Sequence, residues 1–195
     1  MPYMFEQPTR QETSRYVVFK DFLSPGDCER VIDLSRTLPP TIAKVGNDKA
    51  EGSVDVAKRR TKLFWFDWTS ETDWLISKMA VSIAMANQKW WGYHLNGFKE
   101  QLQLTHYSSE DQGFYDWHED HDDRGTFVHR KLSVVIQLND GFEGGGFEFY
   151  GAGSPPELAK GTMIIFPSFR LHRVVPVTKG ERWSLVSWIN GPPFV

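Results

Sequence analysis

Cysteine is nearly missing from the chain: Cys28 stands alone among 195 residues. One thiol builds neither a disulfide framework nor a cysteine-based zinc site. Positive charge is not in excess either. Lys and Arg total 22 against 25 Asp and Glu, a formal net charge of -3. A nucleic-acid binder needs a basic footprint for the phosphate backbone, so nucleic acid is disfavoured as a partner. No run approaches the roughly 18 apolar residues of a membrane-spanning helix, and the opening decapeptide lacks the apolar stretch of a signal peptide. A soluble, cytoplasmic protein without a membrane partner is the expectation. Internal repeats and low-complexity tracts are absent too. At this length a single domain over 1–195 is expected, and the oligomeric state is left open.

Apolar residues make up 40% of the chain and aromatics 14%, with eight Trp and 14 Phe, enough for a sizeable core. Residues 15–23 (RYVVFKDFL) read as a strand. SPGDCERVIDLSR (24–36) then starts a helix, with Ser24 as N-cap, Pro25 in the first turn and an apolar stripe of Cys28, Val31 and Ile32. Residues 45–61 are rich in Gly, Asp and Lys with no helical period, and read as a long loop. KLFWFDW (62–68) is a strand. Ser70 and Asp73 make a capping-box pattern before a second helix. Its core face is Leu75, Met79, Ile83, Ala86 and Trp90, over about five turns.

From residue 98 the texture is β. Seven short β-rich runs are separated by turn residues such as Asn139-Asp140, Gly144-Gly145-Gly146 and Lys179-Gly180. Even spacing of short strands argues for a two-sheet sandwich or barrel. The expected architecture is mainly β with flanking helices (α+β). The β core spans about 98–192, and the support of about 15–97 packs its helices on one outer face.

The densest polar stretch is YDWHEDHDDR (115–124), with two histidines and five acids in ten positions. On a strand, side chains alternate, so His118 and Asp120 share a face and Glu119 takes the other. A third ligand must come from elsewhere. His129 lies in a turn-like stretch, whereas His172 sits between MIIFP and VVPV on a rigid element, which favours His172. Two imidazoles and a carboxylate suit non-haem Fe(II) with open positions, and they also suit zinc. Ten residues on, Arg182 shares a strand face with Ser184, Val186 and Trp188. A guanidinium and a hydroxyl together can clamp a carboxylate. His121, Asp122 and Asp123 read as a solvated turn, His94 and His106 as satisfied or exposed histidines, Trp90-Trp91 as packing, and Lys58-Arg59-Arg60 as a solvated loop able to attract an acidic peptide.

HxD, then His, then Arg ten positions later with Ser two beyond resembles the 2-oxoglutarate/Fe(II) dioxygenases, and within them the prolyl 4-hydroxylase-like branch. YSSEDQGFYDWHED, KLSVVIQLND, FEGGGFEF and KGTMIIFPSFRLHRVVPVTKGERWSLVSWINGP carry the resemblance over about 98–192, with FLSPGDCERVI and RRTKLFWF similar to the branch's N-terminal part. The resemblance implies a double-stranded β-helix, or jelly roll. It implies Fe(II) held by His118, Asp120 and His172. 2-Oxoglutarate would chelate that iron, its distal carboxylate on Arg182 with help from Tyr107 and Ser184. O2 is the third reactant, with ascorbate as a reductant. Trp188, Phe147 and Tyr115 would line the substrate pocket.

The reaction implied is hydroxylation of a C–H bond, in the first place of a prolyl residue in a peptide or protein partner, with succinate and CO2 as co-products. Loop 45–61 falls where such enzymes carry a cover over the substrate groove. Two departures leave the substrate open: three glycines at 144–146 where the branch has two and a larger residue, and the polar cluster after Asp120. A free amino acid, another small molecule or a nucleobase as substrate, a non-catalytic cupin-like module, and a zinc hydrolase are the alternatives.

Overall fold

The computed structural model describes residues 14–42, 57–152 and 157–194. In chain order come β1 (Val17–Phe19), α1 (Pro25–Leu34), β2 (Thr41–Ile42), β3 (Arg59–Arg60), β4 (Lys62–Phe66) and α2 (Asp73–Trp90). There follow β5 (Gly97–Phe98), β6 (Leu102–Ser108), β7 (Phe114–His118), β8 (Arg130–Gln137) and β9 (Glu143–Gly144). The chain continues through β10 (Phe147–Phe149), β11 (Met163–Pro167), β12 (His172–Val174), β13 (Val177–Lys179) and β14 (Glu181–Asn190).

Two antiparallel sheets dominate. The larger has eight strands in the order β1-β11-β8-β14-β6-β4-β2, with β5 added on β14; the smaller runs β10-β12-β7-β3. This is the mainly β, two-sheet core with flanking helices that the strand spacing implies, and the jelly roll that the resemblance implies.

Period-two alternation sorts the larger sheet's side chains into two cores. Leu102, Leu104, Val134, Ile136, Met163, Ile165, Leu185 and Ile189 point one way, onto Leu75, Met79, Ile83 and Ala86 of α2 and onto Cys28 and Val31 of α1. Tyr107, Val135, Ile164 and Phe166 point the other way, onto Phe147, Phe149 and Val174 of the smaller sheet. A strand covered on both faces reads as an unbroken apolar run, which is why MIIFP and KLSVVIQL look as they do. Each fully buried Leu, Ile or Phe stabilises the fold by about 1.5–3 kcal/mol.

The first helix begins as its sequence predicts. Ser24 Oγ accepts from Asp27 N at 3.1 Å, the Asp27 carboxylate accepts from Ser24 N at 3.3 Å, and Pro25 opens the first turn. The second helix differs. Its N-cap is Thr72, already helical at φ -104 and ψ -10, and Ser70 makes no cap. A turn over Thr69–Thr72, with Thr69 N donating to Thr72 Oγ1 at 3.0 Å, leads the chain in without one. The 15–23 strand narrows to Val17–Phe19, because the backbone turns at Asp21 with φ 52.

The 45–61 loop also differs at its end: Arg59 and Arg60 pair with Tyr115 and Phe114 as an edge strand. Residues 45–56 of that candidate cover lie outside the described residues. Among the described residues, no helix is long and apolar enough to cross a membrane.

Candidate metal centre

Strand pairing puts the two histidines together. In the β12–β7 ladder His172 faces His118 directly, and their rings lie 4.1 Å apart. The register then slips by one residue, so that Val174 pairs with Tyr115. Asp120 lies two residues beyond His118, past the end of the strand. Ser168 O accepts the N–H of both Asp120 (2.9 Å) and His121 (3.1 Å), which ties this segment to the one leading into β12.

The three side chains converge. Asp120 Oδ1 is 3.7 Å from His118 Nε2, and Oδ2 is 3.7 Å from His172 Nε2. Each imidazole donates its other nitrogen to a carbonyl: His118 Nδ1 to Asp116 O and His172 Nδ1 to Arg170 O, both at 2.7 Å. A carbonyl only accepts, so the proton sits on Nδ1 and the Nε2 lone pair faces the carboxylate. Burial, helped by neighbouring His172, pulls His118 well below the ordinary imidazole value, so it is neutral near pH 7. Burial pushes the Asp120 carboxyl up, but His172, His118, Arg130 and the Ser133 hydroxyl together outweigh it and hold it at about 2. A carboxylate and two imidazoles, each with a donor atom turned inward, can hold a divalent cation, and among the described residues only these three form such a group.

Asp120 is braced by Ser133, whose hydroxyl donates to Oδ2 at 2.7 Å and lies 2.9 Å from Ser168 Oγ. Removing such a brace typically costs 10–100-fold in metal affinity. Ser133→Ala is therefore expected to weaken Mn(II) binding by about tenfold or more, read by titrating the metal-free protein.

The same cavity, of about 730 Å³, holds an unmatched cation. Arg182 is 1% exposed. Its Nη1 donates to Ser184 Oγ at 3.1 Å, and Ser184 Oγ lies 2.6 Å from Thr105 Oγ1. Its Nη2 has no partner. Burial lowers the Arg182 pKa, yet a guanidinium stays charged in a protein. A buried cation with a vacant donor, beside a hydroxyl, fits one end of a dicarboxylate. Gly145 packs on its stem: a Cβ there would stand 3.0 Å from Arg182 Cδ, on a backbone at φ 62. The middle glycine of the run thus clears space for the arginine.

The remaining sequence-predicted residues line this cavity. Tyr107 faces Arg182 across the β6–β14 ladder, with the guanidinium 5.6 Å from its ring. Phe147 lies 5.3 Å from the His172 ring. Tyr115 stacks on His118 at 3.4 Å, and burial pushes its phenol up to about 12, so it remains a donor. Trp188 packs 6.4 Å from Trp65.

Other readings are sorted by the structure. His129 Nδ1 lies 3.3 Å from Gly191 O, away from the cluster. His106 stacks on Trp183 and sits 3.3 Å from Glu181. Asp122 is a turn residue, accepting from Gly125 N at 2.9 Å. His121 is a correction: it is buried, not solvated, with its ring against Phe194.

Two arginines escape sequence reasoning. Arg59, expected in a solvated loop, is buried; its guanidinium lies 4.3 Å over the Tyr115 ring and donates to Gln103 Oε1 at 3.2 Å. Arg130 is buried between the Trp188 ring (3.7 Å) and the Phe127 ring (3.8 Å). It pairs with Glu100 and donates to Asp120 O at 3.3 Å. A two-residue strand is too short to show its alternation, which hid Arg59. Glu100, thirty positions before Arg130, gives that pair no local signal.

Comparison with known proteins agrees with this geometry. The family model of the 2OG-Fe(II) oxygenase superfamily matches residues 102–190. A PKHD-type hydroxylase of Hyphomonas neptunium is 58% identical over 34 residues, 17% of this chain and 15% of that one. A probable prolyl 4-hydroxylase of Arabidopsis thaliana is 24% identical, covering 91% of this chain and 69% of that one. The chain spans 15% to 39% of the length of the first PKHD-type relatives it matches. Among solved structures, a Trichoplax adhaerens prolyl hydroxylase, in complex with a hypoxia inducible factor oxygen degradation domain peptide fragment, superposes with a TM-score of 0.74. Its identity is 18%, over 90% of this chain and 83% of that one. At that identity the likeness is one of fold.

Proposed function

We infer that the chain, whose residues 102–190 match the family model of the 2OG-Fe(II) oxygenase superfamily and whose fold is like that of a prolyl hydroxylase, hydroxylates a prolyl residue in a peptide or protein. The observation that carries the reading is the vacant Arg182 Nη2 in the same cavity as the triad. An iron site alone does not call for it, and a zinc hydrolase has no use for it. A dicarboxylate cosubstrate does.

His118, Asp120 and His172 hold Fe(II). Arg182 and Ser184 take the distal carboxylate of 2-oxoglutarate, with Tyr107 beside them. Iron, 2-oxoglutarate and O2 together supply the oxidising power, releasing succinate and CO2. The protein contributes placement. Asp116 O and Arg170 O fix the imidazole tautomers, and Ser133 fixes the carboxylate. Phe147 and Phe166 shield His172 from water. Toward the substrate side stand Tyr115, Arg59 and Trp188. A peptide is favoured because a cavity of about 730 Å³ exceeds what a five-carbon cosubstrate fills, and the Trichoplax neighbour was solved with a peptide fragment.

The test is incubation with Fe(II), 2-oxoglutarate and a library of proline-containing peptides, read by mass spectrometry. A gain of one oxygen on a prolyl residue, matched by succinate, is expected. Gain on a free amino acid and on no peptide overturns the substrate. Activity that survives without O2 and 2-oxoglutarate overturns the reaction.

A further inference from the structure

One aromatic cluster has no part in the chemistry above. After β14 the chain folds back, and the Phe194 ring seats edge-to-face against three others: Tyr93 at 5.3 Å, His121 at 5.2 Å and Phe169 at 5.3 Å. Lys131 Nζ stands 3.3 Å from the ring centroid. Such pairs and cation contacts have preferred geometries, so the ring fixes its neighbours in direction as well as distance.

Two of those neighbours belong to the segments that carry the metal ligands. His121 directly follows Asp120. Phe169 directly follows Ser168, whose carbonyl accepts the N–H of Asp120 and His121. It directly precedes Arg170, whose carbonyl holds His172 Nδ1 at 2.7 Å. Phe194 therefore touches both arms of the site one residue from their anchor points. It does not itself line the cavity.

We propose that Phe194 is a positioning residue of the metal centre: by bracing His121 against Phe169, it holds Asp120 and His172 at ligating separation before the ion binds. The inference rests on the metal reading of the triad. Ligating groups must be held within about 0.5 Å, so loosening the brace lowers metal affinity even where the fold survives.

The experiment titrates Mn(II) into the metal-stripped full chain, by calorimetry, for wild type, Phe194→Ala and Phe194→Leu, with His172→Ala as a control. Phe194→Ala is expected to weaken binding by about tenfold or more, the range seen when groups supporting ligands are removed. Phe194→Leu, which keeps apolar bulk, is expected to fall between. Melting temperatures of the metal-free proteins are read alongside. A purely structural Phe194 lowers the melting temperature of the alanine variant and leaves Mn(II) affinity at the wild-type value; that result overturns the inference. If Phe194→Ala does not fold, Phe194→Leu carries the test, and wild-type affinity in it overturns the inference equally. Failure of the wild type to bind Mn(II) sinks the metal reading itself.

Discussion

His172→Ala is expected to reduce turnover at least about a thousandfold while the metal-free protein still melts cooperatively. The first half follows from ligand count. A polarising ion contributes several kcal/mol, and about 4 kcal/mol is already a factor of a thousand. With His172 gone, the ion keeps His118 and Asp120 alone, too few to hold it in place. The second half follows from packing. His172 is 3% exposed and sits among the Phe147, Phe149 and Phe166 rings, so truncation leaves a small void in a preformed sheet. Such a void costs about 2–5 kcal/mol, or about 4–20 °C of melting temperature for a chain of this size. Succinate release and a thermal melt check the two halves. Wild-type turnover would remove His172 from the ligand set. Loss of the cooperative melt would make the residue structural.

Arg182→Met is expected to move function and stability in opposite directions. A hydrogen bond to a charged group is worth about 1.5–3 kcal/mol. The apparent affinity for 2-oxoglutarate should therefore fall about 10- to 100-fold. Without cosubstrate, however, Arg182 is a buried cation with one nitrogen unmatched. Replacing it by an apolar side chain of similar reach removes that burden. The cosubstrate-free protein should melt no lower than wild type, and a gain of about 1 kcal/mol would appear as about 2–4 °C. Added 2-oxoglutarate should then raise the melting temperature of the wild type and not of the variant. Unchanged affinity in the variant would remove Arg182 from the cosubstrate site.

How much of this was legible in the sequence depends on distance and period. The β core was readable because strands buried on both faces leave unbroken apolar runs such as MIIFP. Helix α1 was readable because its capping box is contained within four residues. Helix α2 was readable from its core stripe but not from its cap, since the preceding turn over Thr69–Thr72 makes side-chain capping needless. In the site, the closeness of His118 and Asp120 along the chain was local, though the strand ends at His118 and Asp120 lies beyond it, and the spacing of His172 to Arg182 was fixed within the chain. Ser133, Arg130 and Arg59 were not legible. Each gains its place from a partner 13, 30 or 44 positions away, and nothing in its immediate neighbours marks it. His121 misled for the same reason: its polar neighbours suggest solvent, whereas its cover, Phe194, comes from far along the chain.

The one-residue slip between the pairs His172–His118 and Val174–Tyr115 has a consequence for how the site is built. Three positions apart on a regular strand, Tyr115 and His118 would look in opposite directions. They stack at 3.4 Å because the extra residue between them absorbs half a period. The place of the slip, and not simple alternation, therefore decides which rings share a face. Deleting one residue at Asp116-Trp117 would return the strand to regularity with the two rings two positions apart, still on one face. Adding one without moving the slip would turn one of the two rings away. Tyr115 and His118 thus stand at an odd spacing that a regular strand could not use, and where the slip falls is part of how the site is specified.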